Sequence, residues 1–215
     1  DQYKAYLTSI DRKTPEDQDT HQKLQSGSLN RFLSSLRSYL KYLVEMDHPV
    51  PVPADAVTLV RTERRHPRVA ELNELIKLIE CPAQFERDPR VALRNRTMLE
   101  VLFSTGMRIS ELVGLKRAQI DDTGRIFIRG KGKKERFVYL TGRAYDFLLQ
   151  YLKIRRDTLP ALFIPYRGKN ADSLNKKISA NYVQSRIKFY REQLHINIPI
   201  SPHSLRHGFA TYLAE

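Results

Sequence analysis

Cysteine is nearly absent: one residue, Cys81, stands in a chain of 215. A single thiol excludes an internal disulfide framework and fits a reducing compartment. Cys81 closes an apolar helical run just before Pro82, a place that reads as structural rather than catalytic. Long apolar runs are missing too. No stretch approaches the roughly 18 to 20 consecutive apolar residues needed to span a bilayer, and the opening DQYKAYLTSIDRK lacks the charged-then-apolar layout of a signal peptide. No membrane partner is expected, and the reading is a soluble, cytoplasmic protein. Internal repeats and low-complexity tracts are also lacking, which excludes solenoids and arrays.

What the chain does have is apolar content and positive charge. Hydrophobic residues make up 41%, enough to bury a core in one large domain or two small ones. Lys and Arg number 37 against 24 Asp and Glu, a net charge of +13 that points to a polyanionic partner, nucleic acid before membrane surface. The excess is uneven: residues 1–60 carry 7 basic and 8 acidic side chains, and the remainder carries 30 and 16.

Along the chain, DRKTPEDQDT (11–20) is polar and broken by Pro15, as in a loop between helices. SLNRFLSSLRSYLKYLVEMD then places Leu29, Phe32, Leu33, Leu36, Leu40 and Leu43 at three- and four-residue steps, an amphipathic helix with Ser28 as its cap. Arg31, Arg37 and Lys41 lie off that stripe, on a face open to solvent or to phosphates. HPVPVPADAV is proline-broken, and VRTERRHPRV after it suits a tether or a strap along a DNA backbone. Further on, VAELNELIKLIE reads as a helix and Cys-Pro as the start of a polar loop. RNRTMLEVLFSTG is a helix ended by Gly106 in the left-handed conformation, and RISELVGLK is a short helix. RIFIRG and ERFVYL alternate as strands around a basic turn, GKGKK, giving a hairpin tipped with lysines. Residues 141–159 return to helix, LFIP offers a brief strand, and 178–194 is a basic amphipathic helix.

Three stretches carry chemistry. In HSLRHGFATYLAE, His203 and Arg206 are i,i+3 neighbours able to converge on one anion, the imidazole donating and the guanidinium gripping two oxygens. At about 100° per residue, Tyr212 points about 180° from His203 and joins Leu205, Phe209 and Leu213 on the apolar stripe, so it reads as core rather than as a nucleophile. In STGMRISELVGL, Arg108 follows a helix-ending glycine at the start of the next helix, where it is aimed by a rigid turn or paired with Glu111. In IRGKGKKERFVYL, glycines flank Lys131 at a tip that can approach a nucleic-acid backbone or remain solvated.

Together and in this order, TGMRISELVGL, GKGKKERFVYL and HSLRHGFATYL resemble the tyrosine recombinase (phage-integrase-like) family, and most closely its Xer-type members. SLNRFLSSLRSYLKYLVEMD extends the resemblance to the DNA-contacting helix of that family's core-binding domain. The resemblance implies a mainly α fold with a small antiparallel β-sheet, in two domains. Residues 1–60 would be a helical, SAM-like core-binding domain, N-terminally incomplete; 61–69 a basic linker; and 70–215 a catalytic domain, C-terminally truncated.

It further implies a site in which Arg108, Lys131, His203 and Arg206 surround the scissile phosphate, supported by Glu111 and His207. Arg31, Arg37, Lys41, Lys133 and Lys134 would lie on DNA. Two guanidiniums can clamp the charge of a phosphodiester under attack without a metal, and Lys131, or else Lys133 or Lys134, can protonate the departing 5′ oxygen. No cofactor and no metal are expected. The family's nucleophile, a tyrosine that becomes joined to the 3′ phosphate, lies well downstream of the H-x-x-R motif and is expected beyond Glu215. These residues are therefore expected to bind DNA without cleaving it. The implied partner is a double-stranded recombination site, held by a homo- or hetero-tetramer of the full-length protein, for chromosome dimer resolution or mobile-element integration and excision. Two rivals are a type IB topoisomerase-like activity and a non-catalytic DNA-binding regulator. The Xer-like wording of the motifs argues against the first, and the four convergent phosphate-handling residues against the second.

Overall fold

The computed structural model describes residues 2–9, 11–13, 19–62, 70–129, 135–168, 176–202, 204–206 and 208. The chain divides into two compact units, Asp1–His66 and Pro67–Glu215. Its described elements are mainly helical, with two small antiparallel strand pairs. Residues 63–69, most of the basic stretch read as a linker, lie outside the described residues.

In the first unit, α1 (Gln2–Ser9) is followed by β1 (Asp11–Lys13) and β2 (Asp19–Lys23), antiparallel with Asp11 opposite Lys23. A polar hairpin thus stands where the sequence reads as a loop; Pro15 lies outside the described residues. DRK and DTHQK show no apolar alternation, so the ladder's backbone bonds form without the side-chain pattern by which a strand is recognised. The long helix α2 (Ser26–Glu45) buries Leu29, Leu33 and Leu40. Ser28 is not its cap: the helix begins after Gln25, and the Ser28 N–H already donates to the Gln25 carbonyl at 2.8 Å. Leu24 packs on the cluster of Leu7, Leu29 and Leu33, which sets the chain in place a turn early. Asn30 makes a two-way amide clasp with the backbone of Val60, at 2.8 and 2.7 Å.

In the second unit, α3 (Leu72–Glu80) opens with the Glu74 carboxylate accepting the Glu71 N–H at 3.2 Å and buries Leu75, Leu78 and Ile79. Cys81 is fully buried and its thiol donates to the Leu78 carbonyl. The polar loop expected after it is instead a short helix, α4 (Pro82–Phe85), because proline at a first helical position sacrifices no hydrogen bond. Then α5 (Pro89–Thr105) starts at Asp88, whose carboxylate accepts the Arg90 N–H at 2.9 Å, and stops at Gly106 with φ 57°. The short α6 (Ile109–Gly114) leads to β3 (Arg125–Arg129) and β4 (Glu135–Tyr139), paired from Arg125 opposite Tyr139 to Arg129 opposite Glu135. Ile126 and Ile128 turn into the core, while Phe127 meets Phe137 on the outer face at 5.5 Å.

Thr141 caps α7 (Gly142–Ile154), and Ser179 caps α8 (Ala180–Gln193). α7 stops five residues short of the expected end because Arg155 turns inward; its side chain is fully buried against Asp157 and the Ala161 carbonyl. The expected strand at LFIP does not form, and the nearby bridge, Ala161 with Lys116, lies just before it; Leu162, Phe163 and Ile164 are apolar because they fill the core. Each such fully buried side chain contributes about 1.5–3 kcal/mol.

α5 runs through this core, and its buried charged side chains find ionic or polar partners. Arg96 and Arg143 hold Glu80 and Glu100 in a four-membered ring of ion pairs, at 2.7 to 3.4 Å. Arg94, 2% exposed, donates to Asn95 and the Ile164 carbonyl and lies over the ring of Tyr182.

Candidate active site

The C-terminal end of α5 is built as a rigid corner. The Gly106 N–H donates to the Leu102 carbonyl at 3.0 Å from a left-handed conformation that glycine adopts without steric cost. The Thr105 hydroxyl donates to the Val101 carbonyl and accepts the Met107 N–H, and Met107 is buried as a plug. Arg108 therefore leaves the corner in one direction. Its backbone is extended at the start of α6, and its side chain is 53% exposed.

Glu111, one turn on, holds Arg108 twice. Its Oε2 accepts the Arg108 N–H at 2.7 Å and its Oε1 accepts Arg108 Nη1 at 3.2 Å. The expected Arg108–Glu111 pair is present, but it is not alone. Arg136 on β4 donates to both oxygens of the same carboxylate, Nη1 at 3.1 Å and Nη2 at 2.8 Å. Burial opposes ionisation of Glu111, yet the guanidinium of Arg136 and the Arg108 donors outweigh it and hold the carboxyl below its ordinary range. A hollow of about 500 Å³ opens beside this group, lined by Arg108, Ser110, Gly114, Gln119 and Arg129 among others.

Arg206 lies on the last helical stretch, where residues 202, 204–206 and 208 are helical. Ser201 and Ser204 cap it reciprocally, each hydroxyl accepting the other's N–H at 3.3 and 3.1 Å. Leu205 is fully buried, in accord with the apolar stripe. Gly208 packs so closely that an added Cβ would fall 2.5 Å from Leu75 Cδ1 and 3.5 Å from Phe103 on the last turn of α5. The segments bearing Arg108 and Arg206 thus meet the same end of α5. Arg206 is half-buried, and its Nη1 is buried without a hydrogen-bond partner among the described residues.

Lys131, Lys133 and Lys134 at the hairpin tip, and His203, His207 and Tyr212, lie outside the described residues. In the first unit Arg31 and Lys41 are exposed, whereas Arg37 is paired with Asp55 at 3.1 Å. Arg136 is the site residue that sequence reasoning missed. Its signal was an arginine in phase with Val138 on the inward face of ERFVY, where a buried partner is required. Among the described residues no cluster of three or more His, Cys, Asp or Glu could hold a metal, and no helix is long and apolar enough to cross a membrane.

Comparison with known proteins assigns the class. Residues 68–215 match the phage integrase family, and the chain belongs to that family. It is 34% identical over 200 residues to tyrosine recombinase XerD of Staphylococcus epidermidis (strain ATCC 12228 / FDA PCI 1200), spanning 88% of this chain and 63% of that protein. It is 36% identical over 196 residues to tyrosine recombinase XerC of Serratia marcescens, spanning 89% of this chain and 61% of that protein. The chain therefore covers less than two thirds of the length of these curated relatives.

Among solved structures, the fold is shared with XerH site-specific recombinase bound to palindromic difH substrate, at a TM-score of 0.68 and 23% identity over 88% of this chain and 55% of that one. It is also shared with a lambda integrase (75–356) dimer bound to a COC′ core site, at 0.67 and 16% over 86% and 66%. The mainly α fold with a small antiparallel sheet is that of tyrosine recombinases.

Proposed function

We propose that the protein acts as a site-specific DNA recombinase that cleaves and rejoins DNA through a 3′-phosphotyrosyl intermediate. The observation that carries this reading is two arginines, one at the corner that ends α5 and one on the helix whose Gly208 packs on that same end. Arg108 is anchored by Glu111 yet exposed, and Arg206 has a buried guanidinium nitrogen with no partner among the described residues. A buried charged donor without an acceptor is costly, and an anionic oxygen is the acceptor that relieves the cost.

In this reading Arg108 and Arg206 grip the non-bridging oxygens of the scissile phosphate, whose negative charge grows as the reaction proceeds. A tyrosine oxygen attacks phosphorus while the bond to the 5′ oxygen breaks. The leaving oxygen keeps the electron pair and takes a proton from Lys131, while His203 assists proton movement at the nucleophile. Glu111 orients Arg108, and His207 supports the second arginine. The phosphotyrosyl bond retains the energy of the broken one, so strands are exchanged and resealed without ATP.

Tyr212 is the sole tyrosine after Arg206 in these 215 residues, and its sequence phase with Leu205, Phe209 and Leu213 argues against it as the nucleophile. By themselves these residues bind duplex DNA without cutting it. Residues 1–60 form the core-binding domain, with Arg31 and Lys41 on the backbone and Arg37 released from Asp55. Residues 61–69 link it to the catalytic domain, 70–215, whose tip lysines Lys133 and Lys134 add further contacts. The working assembly is a homo- or hetero-tetramer on synapsed sites, in the cytoplasm.

The test is covalent trapping on a suicide DNA substrate by the full-length protein. Wild type forms the adduct, and Arg108→Ala or Arg206→Ala lowers its rate by about 10²- to 10³-fold, the scale for loss of one transition-state donor. Tight DNA binding with no adduct at any time would sink the recombinase reading. The 215-residue chain should bind duplex DNA with an affinity that drops steeply as salt rises.

A further inference from the structure

We infer that Arg136 is a positioning residue that sets both the charge and the placement of Arg108. The inference rests on the recombinase reading above and adds to it a residue on a different element. The Glu111 side chain is 7% exposed, and its carboxylate receives four N–H donors: a fork from Arg136 at 3.1 and 2.8 Å, and the backbone and Nη1 of Arg108 at 2.7 and 3.2 Å. A bidentate guanidinium–carboxylate fork is the strong, directional member of this group; one Nη1 contact at 3.2 Å is the weak one.

The electrostatics follow. With Arg108 alone, Glu111 would form a neutral pair and draw the guanidinium down onto the protein. With Arg136 as its principal partner the trio carries one net positive charge, and that charge resides on Arg108, whose Nε and Nη2 make no hydrogen bond among the described residues. Arg108 is thereby held in direction by its backbone N–H and left free at its tip.

The placement follows from where Arg136 sits. It stands opposite Ile128 on β4, two residues after the stretch 130–134 that bears Lys131. Its fork onto Glu111 is the described side-chain bond tying this hairpin to the α5–α6 corner. The arm that carries the lysine and the corner that carries the arginine are registered against each other through one carboxylate.

The experiment uses the full-length protein in single-turnover cleavage of a suicide substrate. Arg136→Met should slow cleavage about 100-fold, the cost of a small misplacement at a reacting group. Its DNA affinity should change less than about threefold, because many backbone contacts set affinity. Arg136→Lys keeps the charge and the fold but not the fork, and should lose about tenfold. The double variant Arg136→Met/Glu111→Gln removes the carboxylate that would capture Arg108, and should recover about tenfold over Arg136→Met. A merely structural loss would lower folding stability and DNA affinity together with cleavage, whereas capture of Arg108 by an unforked Glu111 lowers cleavage at nearly unchanged affinity. Cleavage by Arg136→Met within about twofold of wild type, or no recovery in the double variant, overturns the inference.

A second arm needs no cleavage and separates this inference from the recombinase reading. The Arg108 Nε–H NMR signal is followed while a short duplex is added. It shifts and saturates in wild type, loses most of that response in Arg136→Met, and regains it in the double variant. An Arg108 signal that responds alike in wild type and Arg136→Met overturns the inference even if wild type proves unable to cleave.

Discussion

Gly208 gives the seating of the last helix a direct test. A methyl group at this position would stand 2.5 Å from Leu75 Cδ1, well inside the roughly 3.5–4.0 Å at which carbon atoms rest. Leu75 is 2% exposed and packed in the main core, so it cannot swing into solvent to make room. Overpacking of this kind costs about 1–3 kcal/mol, against a helix-propensity gain of at most about 1 kcal/mol for replacing glycine with alanine. Gly208→Ala should therefore destabilise the protein by roughly 1 kcal/mol. Gly114→Ala is the control: nothing lies within 4 Å of its added Cβ, and it should gain about 0.5–1 kcal/mol. Leu75→Ala alone should cost about 2–5 kcal/mol. On that background Gly208→Ala becomes neutral or favourable, because the methyl fills part of the vacated space, giving a coupling of at least about 1 kcal/mol. Urea unfolding followed by circular dichroism reads all four variants. Equal stabilisation by Gly208→Ala and Gly114→Ala, or strict additivity with Leu75→Ala, would refute the packing of this helix on α3 and α5.

Two titrations extend the tests. Burial pushes the Cys81 thiol up to about 12, so iodoacetamide at mildly alkaline pH should label it only after unfolding. The stability this neutral thiol supports is intact below the ordinary thiol value and declines as pH rises from there toward 12; rapid labelling of the native protein would contradict its burial. The Thr123 hydroxyl, followed by the Arg125 and Thr123 backbone N–H groups, holds Asp121 down to about 2. Its contribution to the turn before β3 is present above the ordinary carboxylate range and is lost as pH falls toward 2. Carboxyl NMR should find that low midpoint, and a value near 3.8 would show the turn bonds to be absent.

How much of this was legible depended on whether the signal was local. The corner at Gly106 could be read because a helical stripe, a glycine and an immediate new helix specify it within a dozen residues. The β3–β4 hairpin was equally plain, since RIFIR and ERFVY alternate and glycines mark the turn. The pairing of strands 11–13 and 19–23 was not, because DRK and DTHQK carry no apolar alternation and the pairing is made by the backbone. The early end of α7 was hidden for another reason: Arg155 is a good helix former by propensity, and the buried bonds to Asp157 and the Ala161 carbonyl that draw it out of the helix, though close in sequence, follow no helical or strand period. Arg136 and Glu111 lie 25 residues apart, so their fork existed in the sequence only as an inward-facing arginine awaiting a partner.

The burial of α5 bears on how this protein can change over generations. From Arg94 to Leu102 every residue of the helix is buried, charged ones included, and the charged side chains are met by groups on α3, α7 and α8 or by a backbone carbonyl. Most helices keep a solvent face on which substitutions drift without consequence. α5 has none over these turns. A position-by-position mutational scan should find this helix as intolerant as a central β-strand, and changes there that survive should come paired with a compensating change on the neighbouring helix that holds the altered group.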